Sequence, residues 1–151
     1  MTLKNTENNA TIKVVSSQES DGLSDKIEFI SEGGFYEKNG KFYITYKEHR
    51  DMGMGDSRVV LKVEQDAVTM RRMGDFRTIM VYKCGEITDF NYRTPFGEMS
   101  IKIKTEEAEN GLSESGGLLR LTYLLFAGGA VTRNEVTIRV KMENGKDMGV
   151  K

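Results

Sequence analysis

The sequence predicts an all-β protein, a single antiparallel up-and-down β-barrel of about eight to ten strands. Three observations predict it. Short runs along the whole chain alternate apolar and polar residues with period two, as strands with one buried face do. Turn signals recur between those runs, among them Asp21-Gly22, Asn39-Gly40 and Gly128-Gly129. No long stretch carries a convincing helical apolar period. A sheet of that many strands tends to close on itself, because closure removes exposed edges.

The elements follow in order. Residues 1–10 are polar, rich in Asn and Thr, and expected to be disordered. A first strand covers residues 11–17, and Ser20-Asp21-Gly22 turns the chain into a longer strand over 25–36. Gly33-Gly34 inside it predicts a bulge or sharp bend, and Asn39-Gly40 a tight hairpin. Residues 41–50 alternate most clearly: Phe42, Ile44, Tyr46 and Glu48 share one face, and Tyr43, Thr45, Lys47 and His49 the other. A glycine-containing loop over 51–56 leads to a strand in which Val59, Leu61 and Val63 point inward. Gln65-Asp66 turns the chain again, and Val68, Met70 and Arg72 share the next inward face. After Met73-Gly74-Asp75 come strands over 76–83 and 86–92, joined by a tight turn at Cys84-Gly85.

Tyr92-Arg93-Thr94-Pro95-Phe96-Gly97 holds the single proline of the chain. Proline lacks an N–H and cannot sit inside a central strand, so this segment is a hairpin corner. Met99, Ile101 and Ile103 form the next inward face, and residues 106–117 read as a polar loop with room for one helical turn. Leu119, Leu121, Tyr123 and Leu125, then Val136, Ile138 and Val140, supply the last two faces. The barrel domain is therefore expected over residues 11–142, followed by a flexible polar tail over 143–151.

At 151 residues the chain matches one domain with a core of its own. With 38% hydrophobic and 30% charged residues and a net charge of −1, it has no global field to attract nucleic acid or an anionic membrane. One cysteine excludes an internal disulfide and a four-cysteine zinc site. No apolar leader core or bilayer-length apolar run is present, so the expected compartment is the cytoplasm.

In a meander, alternate connections share an end. The loops at 18–24, 51–56, 73–75, 94–97 and 127–133 should gather at one rim, the top. Glu48, Arg72, Tyr92 and Thr94 end strands running towards that rim, and Glu48 and Arg72 lie on inward faces. Tyr46-x-Glu48, Arg72-x-Gly74, Tyr92-x-Thr94-Pro95-Phe96-Gly97 and the late Tyr123 resemble the YwiB-like family of small bacterial proteins, over residues 11–142. That resemblance implies a barrel similar to the calycins, the group of lipocalins and fatty-acid-binding proteins. It implies no reaction.

An acid and a guanidinium inside an apolar barrel must pair to be tolerated. Glu48 and Arg72 therefore read either as a structural ion pair that closes the barrel end, which is the default, or as the charged anchor of a ligand pocket. In the second reading Tyr46, Tyr92, Thr94 and Tyr123 join them. Other chemistries are weaker. A thiolate needs its base within about 3 Å, and the meander separates Cys84 at the bottom from His49 at the top. His49, Asp51 and Asp56 lack a metal-ligand spacing, and no cofactor is implied. Gly53-x-Gly55 precedes a strand where a dinucleotide site needs a helix. Glu98 adjoins inward Met99 and should point outward, leaving Glu48 without a second carboxylate for glycosidase-type chemistry. Arg71, Arg72 and Arg77 could imitate a single-strand-binding surface, but basic and acidic residues alternate evenly.

The leading expectation is a non-catalytic binding protein for a small, partly apolar molecule with an acidic or polar head, held in a pocket at the top of a mostly filled barrel. The alternative is an interaction module with a filled barrel, its partner a protein or a second copy of the chain. An enzyme using Glu48 as general base ranks last.

Overall fold

The alternation carried by the sequence becomes ten strands in the computed structural model, which describes residues 8–48 and 56–143. Most of the N-terminal segment, His49 with most of the loop expected over 51–56, and most of the C-terminal tail lie outside the described residues. The strands are β1 (Ala10–Ser20), β2 (Leu23–Lys38), β3 (Lys41–Glu48), β4 (Ser57–Val63), β5 (Val68–Gly74), β6 (Thr78–Tyr82), β7 (Ile87–Thr94), β8 (Gly97–Ser113), β9 (Gly116–Ala127) and β10 (Ala130–Met142). All pair antiparallel, in the order β6-β5-β4-β3-β2-β1-β10-β9-β8-β7. β1 and β10 pair along their length, from Ala10 opposite Met142 to Glu19 opposite Arg133. β6 and β7, at the two ends of that order, meet through a single bridge at Arg77 and Arg93. The fold is the expected antiparallel meander, a barrel closed along one seam by few main-chain bonds.

Period-two alternation dictates what lies inside. Ile12, Ile44, Val59, Leu61, Val63, Ile103 and Leu119 are each fully or almost fully buried. Aromatic rings fill the remaining interior: Tyr82 and Tyr123 pack edge to face with centroids 4.9 Å apart, and Phe35 stacks on Phe42 at 5.5 Å. Of the expected inward residues, Tyr46, Leu121, Tyr123 and Ile138 are buried, whereas Phe42, Met70 and Tyr92 pack partly buried against the core. Met99 keeps the inward parity of Ile101 but lies at the rim and is exposed.

Four local differences have physical reasons. The order begins earlier than residue 11: Ala10 is fully buried, and the Asn9 amide donates to the Phe35 carbonyl (2.9 Å) while accepting from its N–H (2.8 Å). Gly33-Gly34 makes no bulge; the register runs through Gly33, opposite Ala10 and Tyr46. A side chain at Gly33 would collide with the Thr45 carbonyl, so the glycine permits close approach of two backbones. The irregularity lies instead between Thr105 and Glu107 of β8. Residues 106–117 are no loop: β8 and β9 continue as a polar hairpin to Ser113 opposite Gly116. Polar composition there reflects a hairpin with one face exposed and the other only partly covered, by Ala108 and Leu112, not an absence of structure.

Candidate functional site

β3, β5 and β7 all run towards the top rim, which brings Glu48, Arg72 and Tyr92 together behind the β6–β7 seam. The pair is bidentate. Arg72 Nε donates to Glu48 Oε1 at 2.9 Å and Nη2 to Oε2 at 3.0 Å, with both side chains nearly removed from solvent. The third guanidinium nitrogen, Nη1, donates to the Tyr92 hydroxyl at 3.2 Å, and the guanidinium lies 5.9 Å from the centre of that ring. A planar fork facing a carboxylate is the geometry that makes a buried charge pair tolerable. Burial alone would lower the pKa of Arg72; the hydrogen bonds and charge of Glu48 reverse this and raise it above its ordinary value. Tyr46 is raised, chiefly by burial and then by the Glu48 charge. Tyr123 is raised by burial. The phenols around the pair are thus held neutral.

Among the expected site residues, Glu48, Arg72 and Tyr92 are joined by hydrogen bonds, and Tyr46 and Tyr123 are buried beside them. Thr94 is not part of this group. Its hydroxyl accepts from the Phe96 N–H (3.0 Å) and donates to the Gly97 carbonyl (3.1 Å), which holds the Pro95 corner in shape.

The seam itself carries a second feature. Arg77 and Arg93 exchange main-chain hydrogen bonds (2.8 and 2.9 Å), and beyond them the join is made by threonines. Thr78 Oγ1 donates to the Asn91 carbonyl at 3.0 Å and Thr88 Oγ1 to the Val81 carbonyl at 2.9 Å. Where the ladder is thin the wall opens into a groove of about 500 Å³, lined by Arg71, Arg72, Arg77 and Arg93 with Ile79 and Met73 as apolar surface. Glu98, outward as expected, also lines it and lies 3.9 Å from Arg93. Among the described residues Arg71 and Arg77 make no ion pair. Sequence reasoning picked out Arg71, Arg72 and Arg77 but missed Arg93 and Thr78, because their importance depends on a seam between β6 and β7 that alternation alone does not reveal.

Cys84 Sγ lies 3.3 Å from the Glu106 carbonyl in the bottom connection. Among the described residues no group of three His, Cys, Asp or Glu side chains could hold a metal ion, and no helix is long and apolar enough to cross a membrane.

The architecture and its enclosed ion pair define an antiparallel β-barrel protein with a polar centre at one rim. Comparison with known proteins gives the particular family. Residues 12–139 match the model described as a domain of unknown function (DUF1934), and the chain belongs to that family. It is 30% identical over 118 residues to the uncharacterised β-barrel protein YwiB of Bacillus subtilis (strain 168), a match covering 78% of this chain and 82% of that protein. The crystal structure of the ywiB protein from Bacillus subtilis superposes with a TM-score of 0.81 at 27% identity, covering 93% of this chain and 97% of the other. The resemblance read from the sequence is thus confirmed at the level of the family.

Proposed function

We propose that this chain is a non-catalytic, cytoplasmic binding protein for a small, partly apolar molecule with an acidic head. A calycin-like carrier would hold its ligand within the barrel, but here Tyr46, Tyr82 and Tyr123 occupy that interior. The ligand is therefore assigned to the groove over the β6–β7 seam. One observation carries this reading: Arg77 and Arg93 stand directly opposite each other at the mouth of a groove that also reaches Arg71 and Arg72. Like charges directly opposite are unfavourable in a sheet; Glu98 partly offsets Arg93, and an anion beside Arg77 removes the remaining repulsion. Ile79 and Met73 offer the adjoining surface to an apolar tail. The enzyme reading draws no support from Glu48, because both its carboxylate oxygens accept bonds from Arg72.

The test is calorimetric titration with decanoate as probe, with decanol and inorganic phosphate as comparisons. Saturable binding of decanoate, weakened about tenfold or more in Arg77→Gln/Arg93→Gln at unchanged melting temperature, is the expected result. Equal binding by the double variant, or none by the parent chain, removes the groove from consideration.

A further inference from the structure

β2 is longer than the strand beside it. Residues 23–32 pair with β1 on one side, whereas pairing with β3 begins only at Gly33. Among the described residues no strand covers the other edge of that stretch. Phe29 packs against the core, but the other three apolar side chains face solvent: Leu23 is 76%, Ile27 57% and Ile30 65% exposed. A long edge without proline or bulge is a template for another strand. The two-residue turn at Asp21-Gly22 makes Ser20 and Leu23 a bonded pair, so the main-chain groups of Ser24, Lys26, Glu28 and Ile30 point to the open side.

We infer that this edge joins the same edge of a second copy of the chain, antiparallel and centred on Ile27, to make a homodimer with a continuous sheet across its two-fold axis. Charge selects that partner and that register. Centring on Ile27 sets Lys26 of each copy opposite Glu28 of the other, twice by symmetry, with Ile27 against Ile27. Shifting the centre to Glu28 or Lys26 opposes two like charges instead. Lys26 makes no ion pair among the described residues, and Glu28, which also contacts Lys13 of β1 at 3.2 Å, remains about half exposed. This register uses residues 22–32 and stops at Gly33, the first residue of β2 that pairs with β3. This inference is independent of the groove.

Native mass spectrometry and sedimentation of the full chain test it. The expected species is a dimer at micromolar concentration. Lys26→Glu weakens it about tenfold or more, and Lys26→Glu/Glu28→Lys restores it, with thermal melting confirming that each variant is folded. In a Cys84→Ser background, Ile27→Cys places two thiols on the axis in a non-bonded pair, about 4.5 Å between Cα atoms, and should oxidise to a covalent dimer. A monomer at all accessible concentrations overturns the inference. So does a dimer that ignores Lys26→Glu or fails to cross-link through position 27.

Discussion

The barrel is closed twice, by different means. Between β1 and β10 an unbroken antiparallel register joins the two strands. Between β6 and β7 one bridge pair, two threonine hydroxyls and the interior link from Arg72 to Tyr92 hold the wall together. A main-chain ladder asks little of the side chains along it, beyond alternation. A seam made by side chains depends on particular residues and leaves room between strands. The buried Glu48–Arg72 pair and the arginine-lined groove both lie at the thin seam.

The largest effect should come from the ion pair behind the thin seam. Glu48→Gln leaves the Arg72 guanidinium buried without a carboxylate, and loses about 3–5 kcal/mol in chemical denaturation. Glu48→Met/Arg72→Met should recover most of that loss, since an apolar pair buries no charge. Breaking the exposed Lys13–Glu28 pair beside the well-bonded seam should change stability by about 1 kcal/mol or less. If the exposed pair matters as much as the buried one, the contrast between the seams fails.

Alkaline pH probes the same asymmetry. Burial raises the phenol pKa values of Tyr46, Tyr82 and Tyr123, and β1 and β10 contain no tyrosine. A pKa raised in the folded state favours the neutral form there. The stabilisation is complete below the unfolded value of about 10 and is lost as pH rises beyond it. Hydrogen exchange should then show β6 and β7 losing protection before β1 and β10. Simultaneous loss everywhere would mean the two seams open as one unit.

The smallest effect separates the threonines. Thr78→Val and Thr88→Val each remove a hydroxyl bond across the thin seam and should destabilise by about 1 kcal/mol. Thr137→Val on β10, where the ladder does the joining, should stay within about 0.5 kcal/mol of the parent. Equal losses at all three positions would show that the hydroxyls do not stitch the wall.

Much of this was legible in the residues. Strict alternation in 41–48 placed Glu48 on the same face as Ile44 and Tyr46, and the meander rule carried Arg72 and Tyr92 to the same end. Their hydrogen bonds follow from those two facts. Three things were hidden. The β8–β9 ribbon is polar because neither face is fully covered, so its composition imitates a loop. The free stretch of β2 shows only when the lengths of neighbouring strands are compared. Arg93 gains meaning only from Arg77 across the bridge, and cross-barrel pairing is a property of closure rather than of any local pattern.

The pairing of β1 with β10 has a kinetic side. Every other neighbour in the hydrogen-bonded order is also a neighbour along the chain, whereas this pair joins residues as far apart as Thr11 and Glu143, 132 positions. Hairpins form within microseconds, but contacts between distant segments wait for the chain between them to be organised. Contact order thus predicts that this well-bonded seam is the one the folding chain reaches last. A circularly permuted chain that started at β7 and ended at β6 would spell the sheet in order from edge to edge, turning its one distant ladder into another hairpin.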